Sequence, residues 1–405
     1  MPSNRAPDRR QVFTQAAAWL AAAGSARPAL AQDSPSLPFD NGDRPLVAYP
    51  GKRPLLRLTT RPPQLETPFS VFDGDVLTPN DAFFVRYHLA NAPPAALDAD
   101  KWRLSVGGAV NTPLELSLQE LKALPAVELA AVNQCSGNSR GFSRPRVGGG
   151  QLGNGAMGNA RWRGVPLKAV LERSGVKAGA RDVEFNGADT PAMATTPDFV
   201  KAIAIDHARD GEVMLAWAMN GEDLPILNGY PLRLVVPGYY GTYWVKHLTD
   251  VTVLDKESDS YWMKTAYRIP ADPCACVEPG TAPSATVPIN RLNVRSFITS
   301  PAEGAAVRAG RETLVRGIAF DGGYGIAEVA LSTDGGAHWR PTRLGPDLGR
   351  YSFREWSAAI TLPRGAHALA VRAINRAGQS QPMQALWNPA GYMRNAVETV
   401  RVRAG

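Results

Sequence analysis

A single cysteine at the end of an apolar run is the residue with the most suggestive chemistry. Residues 127–132 are mostly apolar and predict a buried strand, and Cys135 follows it in a loop that ends in Arg140. Nearby positive charge favours the thiolate, which is the form of cysteine that attacks electrophiles or binds metals. The alternative is a small buried apolar residue, which is the commoner role of a buried cysteine.

The sequence lacks the residue spacings that other cysteine or metal sites require. None of the five histidines has the spacing of a zinc site or is tied by pattern to Cys135 as a base. The Cys-x-x-Cys-His motif of a c-type haem is absent, and the glycine-rich loop 148–158 lacks a nucleotide-binding fingerprint. One thiolate among scattered arginines, lysines and glycines suits a single soft-metal bond inside a large phosphate-bearing organic cofactor.

Two further positions indicate an anionic ligand. Residues 81–88 alternate as a strand, which places Arg86 and His88 on one face because side chains repeat every two residues. Solvated surface charges are an equal alternative for this pair. Arg233 lies in the apolar segment 231–237, where an unpaired buried charge is costly, so an anionic partner is expected.

Residues 1–31 have the pattern of an export signal. A basic start with Arg9 and Arg10 precedes an apolar stretch at 16–23 and a small-residue cleavage pattern at 29–31. The arginine pair favours the twin-arginine route, which exports folded proteins, and predicts a periplasmic location. An ordinary secretory signal is the alternative. No later segment approaches the ~20 apolar residues of a membrane-spanning helix, so no membrane span is expected.

Composition and length predict a globular protein of more than one domain. The 405 residues are 44% hydrophobic and 20% charged, which is ordinary for globular proteins. The formal net charge is +7, of which the first 31 residues contribute +3, so local basic pockets are favoured over a nucleic-acid-binding surface. Three cysteines leave at least one unpaired. Cys274 and Cys276 form a small-loop disulfide or remain two thiols, and Cys135 is left over.

The order of elements places a mixed domain after a proline-rich segment. Residues 32–80 contain many prolines and predict an extended N-terminal arm lying over the core. Residues 81–275 contain short strands, a capping-box pattern that begins at Ser117 and a helix pattern at 167–173. We therefore predict an α+β domain for 81–275.

A change of composition separates this domain from a C-terminal one. Residues 276–288 are rich in proline, alanine and threonine and predict a linker. Residues 289–405 contain about seven short strands separated by turn signals. That pattern predicts an all-β immunoglobulin-like sandwich.

Seven ordered motifs along the chain carry a family resemblance. They are Phe83–His88, Asn133–Arg140, Gly158–Trp162, Met219–Pro225, Gly229–Gly238, Trp244–Lys246 and Met263–Tyr267. Together they resemble the sulfite oxidase family of molybdopterin enzymes, and within it the catalytic subunits of bacterial periplasmic sulfite dehydrogenases. The resemblance extends from about residue 70 to the C-terminus, and it includes the sandwich, which is a dimerisation-type domain in this family.

The resemblance implies a role for each residue at a matching position. Cys135 is the expected thiolate ligand of molybdenum. Tyr267, Arg86 and Arg140 are the expected catalytic residues. Arg86, Arg140 and Arg394 are expected to bind the substrate, since guanidinium geometry suits an oxyanion. The residues expected to hold the molybdopterin are Phe84, Val85, Arg86, Tyr87, His88, Asp189, Asn228, Arg233, Val245 and Lys246.

Two positions depart from the animal members of the family. Asn228 stands where they have a histidine, so a pterin contact is expected to differ in shape. Ala390 stands where they have an arginine. We expect Arg394 to fill the same anion pocket from a few residues later.

The resemblance also implies the reaction and its partners. The expected function is oxidation of sulfite to sulfate by oxygen-atom transfer at a molybdenum-molybdopterin centre. Because the sequence contains no haem motif, no haem is expected in this chain, and the electrons are expected to pass to a c-type cytochrome subunit or a soluble cytochrome c. A homo- or hetero-oligomer is consistent with the C-terminal domain.

Three alternatives remain open from the sequence. Two keep the cofactor and change the substrate: the sulfur dehydrogenase component of a thiosulfate-oxidising complex, and a periplasmic sulfoxide reductase. Several arginines at one site favour a small oxyanion over a neutral sulfoxide. The third alternative is an exported binding protein without catalysis, in which Cys135 is structural.

Overall fold

The structure, a computed structural model, describes residues 44–91 and 97–405. The predicted export signal at 1–31 and the first part of the predicted arm, 32–43, lie outside the described residues. Within the described ranges, no helix is long and apolar enough to cross a membrane. Strands dominate and the α-helices are few and short, so the first domain is richer in strand than the prediction of an α+β domain suggests.

A small antiparallel sheet precedes the body of the first domain. In spatial order it contains β1 (Leu46–Val47), β2 (Leu55–Thr59), β3 (Gln64–Glu66) and β4 (Val85–Arg86). Side chains of Leu55, Leu65, Val85 and Tyr87 form its buried apolar cluster. The described part of the predicted arm therefore contains a sheet, and that sheet ends on the strand that carries Arg86.

Two larger sheets form the body of this domain. Their strands are β5 (Arg103–Gly108), β6 (Leu114–Ser117), β7 (Val127–Gln134), β8 (Met157–Pro166), β9 (Asp182–Gly187), β10 (Lys201–Ala204), β11 (Met214–Met219), β12 (Glu222–Asp223), β13 (Arg233–Val235) and β14 (Leu248–Leu254). One sheet has the order β10-β9-β14-β5-β6, and the other has the order β12-β11-β8-β7, with β13 paired to β11. Strand β7 covers the strand predicted at 127–132 and ends one residue before Cys135.

Short helices connect these strands. The α-helices of the described residues are α1 (Leu118–Lys122), α2 (Leu167–Ser174), α3 (Ile205–Ala208) and α4 (Tyr261–Lys264). The 3-10 helices are Phe69–Asp73, Arg140–Phe142, Ile226–Asn228 and Gly241–Tyr243. The predicted capping box is confirmed, since the Ser117 hydroxyl accepts from the Glu120 N–H and the Glu120 carboxylate accepts from the Ser117 N–H.

The C-terminal domain is β-rich. A hairpin of β15 (Arg268–Pro270) and β16 (Thr286–Pro288) precedes it, so the predicted linker 276–288 ends in a paired strand. Its strands are β17 (Arg295–Ser300), β18 (Ala306–Val307), β19 (Glu312–Phe320), β20 (Ile326–Ser332), β21 (Arg340–Pro341), β22 (Arg343–Leu344), β23 (Arg354–Thr361), β24 (Gly365–Asn375) and β25 (Glu398–Ala404). They form two sheets, of orders β17-β19-β23-β22 and β18-β25-β24-β20-β21, around a shared apolar cluster. The immunoglobulin-like class stays a prediction.

The two domains share buried apolar contacts. The ring of Phe72 packs edge-on against Phe353 with centroids 5.9 Å apart, and both belong to the main core cluster. The backbone N–H of Val132 in β7 donates to the carbonyl of Tyr351 (2.9 Å). The strand that leads to Cys135 is therefore fixed in part by the C-terminal domain.

Candidate active site

A cavity lies where β4, the end of β7 and the segment 226–246 meet. The residues that line it enclose about 630 Å³ of empty space, which includes space open to solvent. Ten residues predicted from the sequence line it: Phe84, Arg86, His88, Cys135, Asp189, Asn228, Arg233, Val245, Lys246 and Tyr267. The structure thus brings together residues from five of the seven motifs with Asp189 and Asn228, which lie outside the motifs.

Cys135 lies in the cavity wall directly after β7. Its thiol is free, its side chain is 8% exposed, and Cys274 and Cys276 form a disulfide with each other. The N–H of Cys135 donates to the Ala156 carbonyl and its carbonyl accepts from the Asn138 N–H, both at 2.9 Å. The prediction that Cys135 is the unpaired cysteine at a strand exit is confirmed.

The alternation of β4 divides its predicted residues between two environments. Phe84, Arg86 and His88 line the cavity, whereas Val85 and Tyr87 lie in the apolar cluster of the N-terminal sheet. The side chains of Val85 and Tyr87 thus lie outside the cavity lining, and their expected role in holding the cofactor stays a prediction. The physical reason is that successive side chains of a strand point to opposite faces.

Arg233 is a buried cation without a carboxylate beside it. Its guanidinium donates to the carbonyls of Asn228 (2.7 Å) and Trp244 (3.3 Å) and lies over the rings of Trp162 and Trp244. No carboxylate of the described residues pairs with it, and its Nε has no partner. Burial lowers the pKa of Arg233 to about 9, so the charge persists at neutral pH and favours an anionic ligand.

Lys246 and Asp189 place one further charge of each sign at the cavity. Burial lowers the pKa of Lys246 well below its ordinary value, and the Asp189 carboxylate opposes that shift. Burial also raises the pKa of Asp189. The Lys246 ammonium donates to the carbonyl of Arg86 (2.5 Å), so it also fixes β4 at the cavity edge.

Asn228 is held by a lysine that the sequence did not point to. The Lys52 ammonium donates to the Asn228 side-chain oxygen (2.5 Å) and to the carbonyls of Asn80 (2.6 Å) and Phe83 (3.1 Å). The Asn228 amide nitrogen donates to the Phe84 carbonyl (3.1 Å). Burial lowers the pKa of Lys52 to about 7. A lysine in a proline-rich segment carried no sequence signal of this contact.

Tyr267 and His88 form a buried pair at the cavity wall. The Tyr267 hydroxyl lies 2.6 Å from Nε2 of His88, whose ring stacks on Phe199 at 3.7 Å. Burial, assisted by the charges of Arg86, Lys246 and Lys201, lowers the pKa of His88 well below its ordinary value. His88 is therefore neutral and can accept the Tyr267 hydroxyl proton in a hydrogen bond.

Arg140 lies beside the cavity, and glycines surround its guanidinium. Its Nε donates to the carbonyl of Ala390 (2.8 Å), and another nitrogen donates to the carbonyl of Gly150 (3.3 Å). A Cβ on Gly137 or Gly149 would come within 2.8 Å of the guanidinium. The described residues place no carboxylate against it. The glycine-rich loop 148–158 therefore allows the backbone at Gly149 to lie close to the Arg140 side chain.

The structure does not bring Arg394 to the cavity. Its guanidinium donates to the Glu398 carboxylate (2.7 Å), which also accepts from the fully buried Arg295 (2.7 Å). The expectation that Arg394 fills the anion pocket stays a prediction, and the pair with Glu398 gives it no support because that carboxylate already compensates the charge. Ala390 stands where the animal members have an arginine, and its backbone carbonyl accepts a hydrogen bond from Arg140.

Several cavity residues were not predicted. They are Phe83, Asn133, Ser136, Phe199, Leu227, Gly241, Thr242 and Trp244. Four buried side-chain atoms on this wall have no hydrogen-bond partner: Asn133 Oδ1, Ser136 Oγ, Thr242 Oγ1 and Arg233 Nε. Buried polar atoms are normally satisfied. The Ser136 and Thr242 hydroxyls and Arg233 Nε can donate to the oxygens of a phosphate-bearing cofactor, and Asn133 Oδ1 can accept from a donor on it.

The comparisons with known proteins agree with this geometry. Residues 90–262 match the oxidoreductase molybdopterin binding domain, and residues 286–404 match the Mo-co oxidoreductase dimerisation domain. The chain is 34% identical to sulfite oxidase of Gallus gallus over 385 residues, which is 90% of this chain and 81% of that protein. It is 33% identical to mitochondrial sulfite oxidase of Homo sapiens over 377 residues, or 88% and 67% of the two chains.

The chain belongs to the sulfite oxidase family. This family assignment confirms the resemblance predicted from the seven motifs. A solved structure, the sulfane dehydrogenase SoxCD from Paracoccus pantotrophus, matches with a TM-score of 0.74 and 26% identity over 98% of this chain and 97% of that one. The protein is a molybdopterin oxidoreductase that acts on sulfur compounds, and the alternative of a binding protein without catalysis is removed.

Proposed function

We propose that this member of the sulfite oxidase family oxidises sulfite to sulfate. The observation that carries the proposal is a set of cations around one buried thiol with which no carboxylate of residues 44–91 and 97–405 pairs. Arg86 and Arg233 line the cavity that contains Cys135, and Arg140 lies beside it. Such a site stabilises a bound anion because the ligand supplies the missing negative charge.

The unpartnered wall of the cavity suits the molybdopterin. When bound, the molybdenum centre supplies two-electron oxygen-atom transfer to sulfur. The Cys135 thiolate is the soft ligand for the metal. Arg233, Lys246 and the unpartnered Thr242 hydroxyl are suited to the phosphate end, and Asn228, fixed by Lys52, to the pterin.

Arg86 and Arg140 bind and orient the substrate. A guanidinium offers paired N–H donors that match the oxygens of a small oxyanion, so two arginines from different loops can hold sulfite with its sulfur directed inward. The Tyr267 hydroxyl is kept at the same wall by neutral His88. Burial raises the pKa of Tyr267, so it keeps its proton and acts as a hydrogen-bond donor.

The deciding experiment is a steady-state assay of the purified protein with cytochrome c as acceptor. Sulfite and thiosulfate are compared at equal concentration with oxidised cytochrome c, whereas methionine sulfoxide is tested as an electron acceptor with reduced methyl viologen as the donor. Molybdenum is measured in the wild type and in Cys135→Ser. The proposal expects sulfite to have the highest kcat/KM and molybdenum to be lost in the variant. Turnover of methionine sulfoxide without sulfite oxidation would refute it, and so would full molybdenum content in Cys135→Ser.

A second candidate function is oxidation of a sulfane sulfur. The similarity to the solved sulfane dehydrogenase SoxCD over nearly the whole of both chains favours it. The same arginines can bind the oxyanion end of thiosulfate or of a related substrate. A kcat/KM for thiosulfate above that for sulfite would select this candidate.

The remaining proposals concern the protein in the cell. We propose export to the periplasm by the twin-arginine route, electron transfer to a c-type cytochrome, and an oligomer formed through the C-terminal domain. Arg9 and Arg10 support export by the twin-arginine route, and the matched dimerisation domain supports the oligomer. We also propose an immunoglobulin-like class for the C-terminal domain, which its two packed sheets support. Retention of an Arg9→Lys, Arg10→Lys double variant in the cytoplasm and light scattering of the purified protein test the route and the assembly.

A further inference from the structure

A buried asparagine closes a tight turn next to the two catalytic candidates Arg140 and Tyr267. The Asn388 side-chain nitrogen donates to the carbonyl of Tyr392 (2.9 Å), and its side-chain oxygen accepts from the N–H of Tyr392 (3.1 Å). The Gly391 N–H donates to the Asn388 carbonyl (3.0 Å). Residues 388–392 are therefore held as one unit, which we name the Asn388 turn.

The Asn388 turn contacts both catalytic candidates. The ring of Tyr392 stacks on that of Tyr267 with centroids 5.4 Å apart and an interplanar angle of 9°. The Arg140 guanidinium carbon lies 4.9 Å from the centroid of the Tyr392 ring. One aromatic ring thus touches the tyrosine of the cavity wall and the arginine beside it.

Gly391 shows how closely the turn follows the Arg140 side chain. A Cβ at this position would lie 2.9 Å from Cγ of Arg140 and 2.5 Å from Cγ2 of Val147. Its φ of 60° is also a conformation that favours glycine. The stem of Arg140 is enclosed, and its Nε is fixed on the Ala390 carbonyl.

The disulfide lies behind the turn. The Asn388 side-chain nitrogen also donates to the carbonyl of Ala275 (3.3 Å), the residue between Cys274 and Cys276. The N–H of Val277 donates to the carbonyl of Trp387 (2.9 Å). The loop that the disulfide closes therefore supports the Asn388 turn through these two hydrogen bonds.

We propose that the Asn388 turn is a clamp for the substrate end of the site and that Tyr392 is its positioning residue. The ring of Tyr392 holds Arg140 and Tyr267 at a fixed spacing, and the disulfide loop holds the turn. The clamp rests on the proposed function, since Arg140 and Tyr267 are the groups that bind and orient the substrate there. The ring makes the stacking contact with Tyr267 and the cation–π contact with Arg140, and the Tyr392 hydroxyl also accepts from the Arg140 guanidinium.

The test compares Tyr392→Leu, Tyr392→Phe and the control Tyr324→Leu in the molybdenum-loaded protein. Tyr324 is 53% exposed, so its replacement should leave the site unchanged. We expect KM for sulfite to rise about tenfold and kcat to fall by less than threefold in Tyr392→Leu, because substrate binding loses a fixed Arg140. Tyr392→Phe, which keeps the ring, should stay within threefold of the wild type in both constants.

Unchanged KM in Tyr392→Leu at wild-type molybdenum content would overturn the clamp. An equal loss in Tyr392→Phe would overturn the assignment to the ring. The double variant Cys274→Ser, Cys276→Ser should raise KM in the same direction by about two- to threefold, and an unchanged KM there would remove the disulfide loop from the clamp.

Hydrogen–deuterium exchange separates failure of the clamp from failure of the proposed function. Residues 138–141 belong to the loop that carries Arg140, and each of their N–H groups donates to a backbone carbonyl. We expect them to exchange at least tenfold faster in Tyr392→Leu and at the wild-type rate in Tyr392→Phe. A wild type that oxidises no sulfite would refute the proposed function alone, and the exchange rates would then decide the clamp, with equal rates in all variants overturning it.

Discussion

Buried cations occur in two regions of this molecule with opposite surroundings. At the cavity, Arg233 is enclosed by tryptophan rings and backbone carbonyls, and none of the described carboxylates pairs with it. At the domain boundary, Arg295 is equally buried, but it shares the Glu398 carboxylate with Arg394. Both regions remove guanidinium groups from water, yet only the second supplies the compensating charge from the protein itself.

The difference separates a ligand site from a structural contact. An uncompensated buried charge lowers the stability of the empty protein and is favourable only when an anion arrives. A compensated charge stabilises the assembled domains and leaves nothing for a ligand. Arg394 illustrates the rule, since proximity in sequence to the family motif suggested a substrate contact, whereas its guanidinium is paired with the Glu398 carboxylate.

Removal of the shared carboxylate should have the largest effect. Glu398→Gln leaves Arg295 and Arg394 without a charged partner, so we expect the free energy of unfolding in urea to fall by about 3–5 kcal/mol. The control is Glu303→Gln, which breaks the exposed pair with Arg401 and should change it by less than about 1 kcal/mol. Equal changes in the free energy of unfolding of the two variants would contradict the proposed difference between the buried and the exposed ion pairs.

Removal of a cation at the substrate end should act on turnover and leave folding intact. In Arg140→Met we expect kcat/KM for sulfite to fall about 100-fold, or about 2.7 kcal/mol, because one preorganised donor to the oxyanion is lost. Steady-state kinetics at equal molybdenum content measures this. Arg394→Met is the matched arginine control and should leave KM for sulfite within about twofold of the wild type. A tenfold rise in KM in that variant would indicate that Arg394 binds the substrate.

The pH dependence of stability should distinguish buried lysines without carboxylates from surface lysines. Lys201 is fully buried and its ammonium donates to the Trp262 carbonyl (2.7 Å). Burial lowers the pKa of Lys201 from 10.5 to about 7. Between these values the unfolded chain binds more protons than the folded one, so stability rises with pH.

For the cofactor-free protein, this lysine should add about 2 kcal/mol to the free energy of unfolding between pH 7 and pH 9. Lys201→Met should lose that part of the increase, as measured by urea unfolding at the two pH values. Lys168→Met, at an exposed position on α2, should keep it. The interpretation fails if the two variants have the same pH dependence.

Replacement of the uncompensated arginine should have the smallest effect on folding. Arg233→Met removes a buried charge together with two hydrogen bonds to carbonyls, and these losses oppose each other. We therefore expect the free energy of unfolding of the cofactor-free protein to change by less than about 1 kcal/mol. A loss as large as that in Glu398→Gln would contradict the view that this cation serves a ligand.

Local patterns predicted much of the fold and of the site. The strand before Cys135, the capping box at Ser117 and helix α2 depend on neighbours in sequence and were predicted correctly. Five of the seven motifs contain eight of the ten predicted cavity residues, and Asp189 and Asn228 lie outside the motifs. The alternation that separates Phe84 and Arg86 from Val85 could also be predicted from the sequence. The family resemblance instead assigned all five residues of 84–88 to the cofactor, so the alternation was not used.

Long-range compensation could not be predicted. Nothing near Lys52 indicates that it reaches Asn228, 176 residues later. Nothing in the segment around Arg394 indicates that Glu398 faces inward and also holds Arg295. Such pairings depend on how the domains pack, whereas a motif records only what is adjacent in the chain.

The separation of the cavity residues along the chain also sets a schedule for cofactor loading. His88 and Tyr267 are in contact across 179 residues. At a synthesis rate of about 5–20 residues per second, the second of them leaves the ribosome about 10–35 s after the first. A nascent chain therefore cannot retain the molybdopterin through its full set of contacts, and insertion must wait until synthesis has passed the end of the first domain.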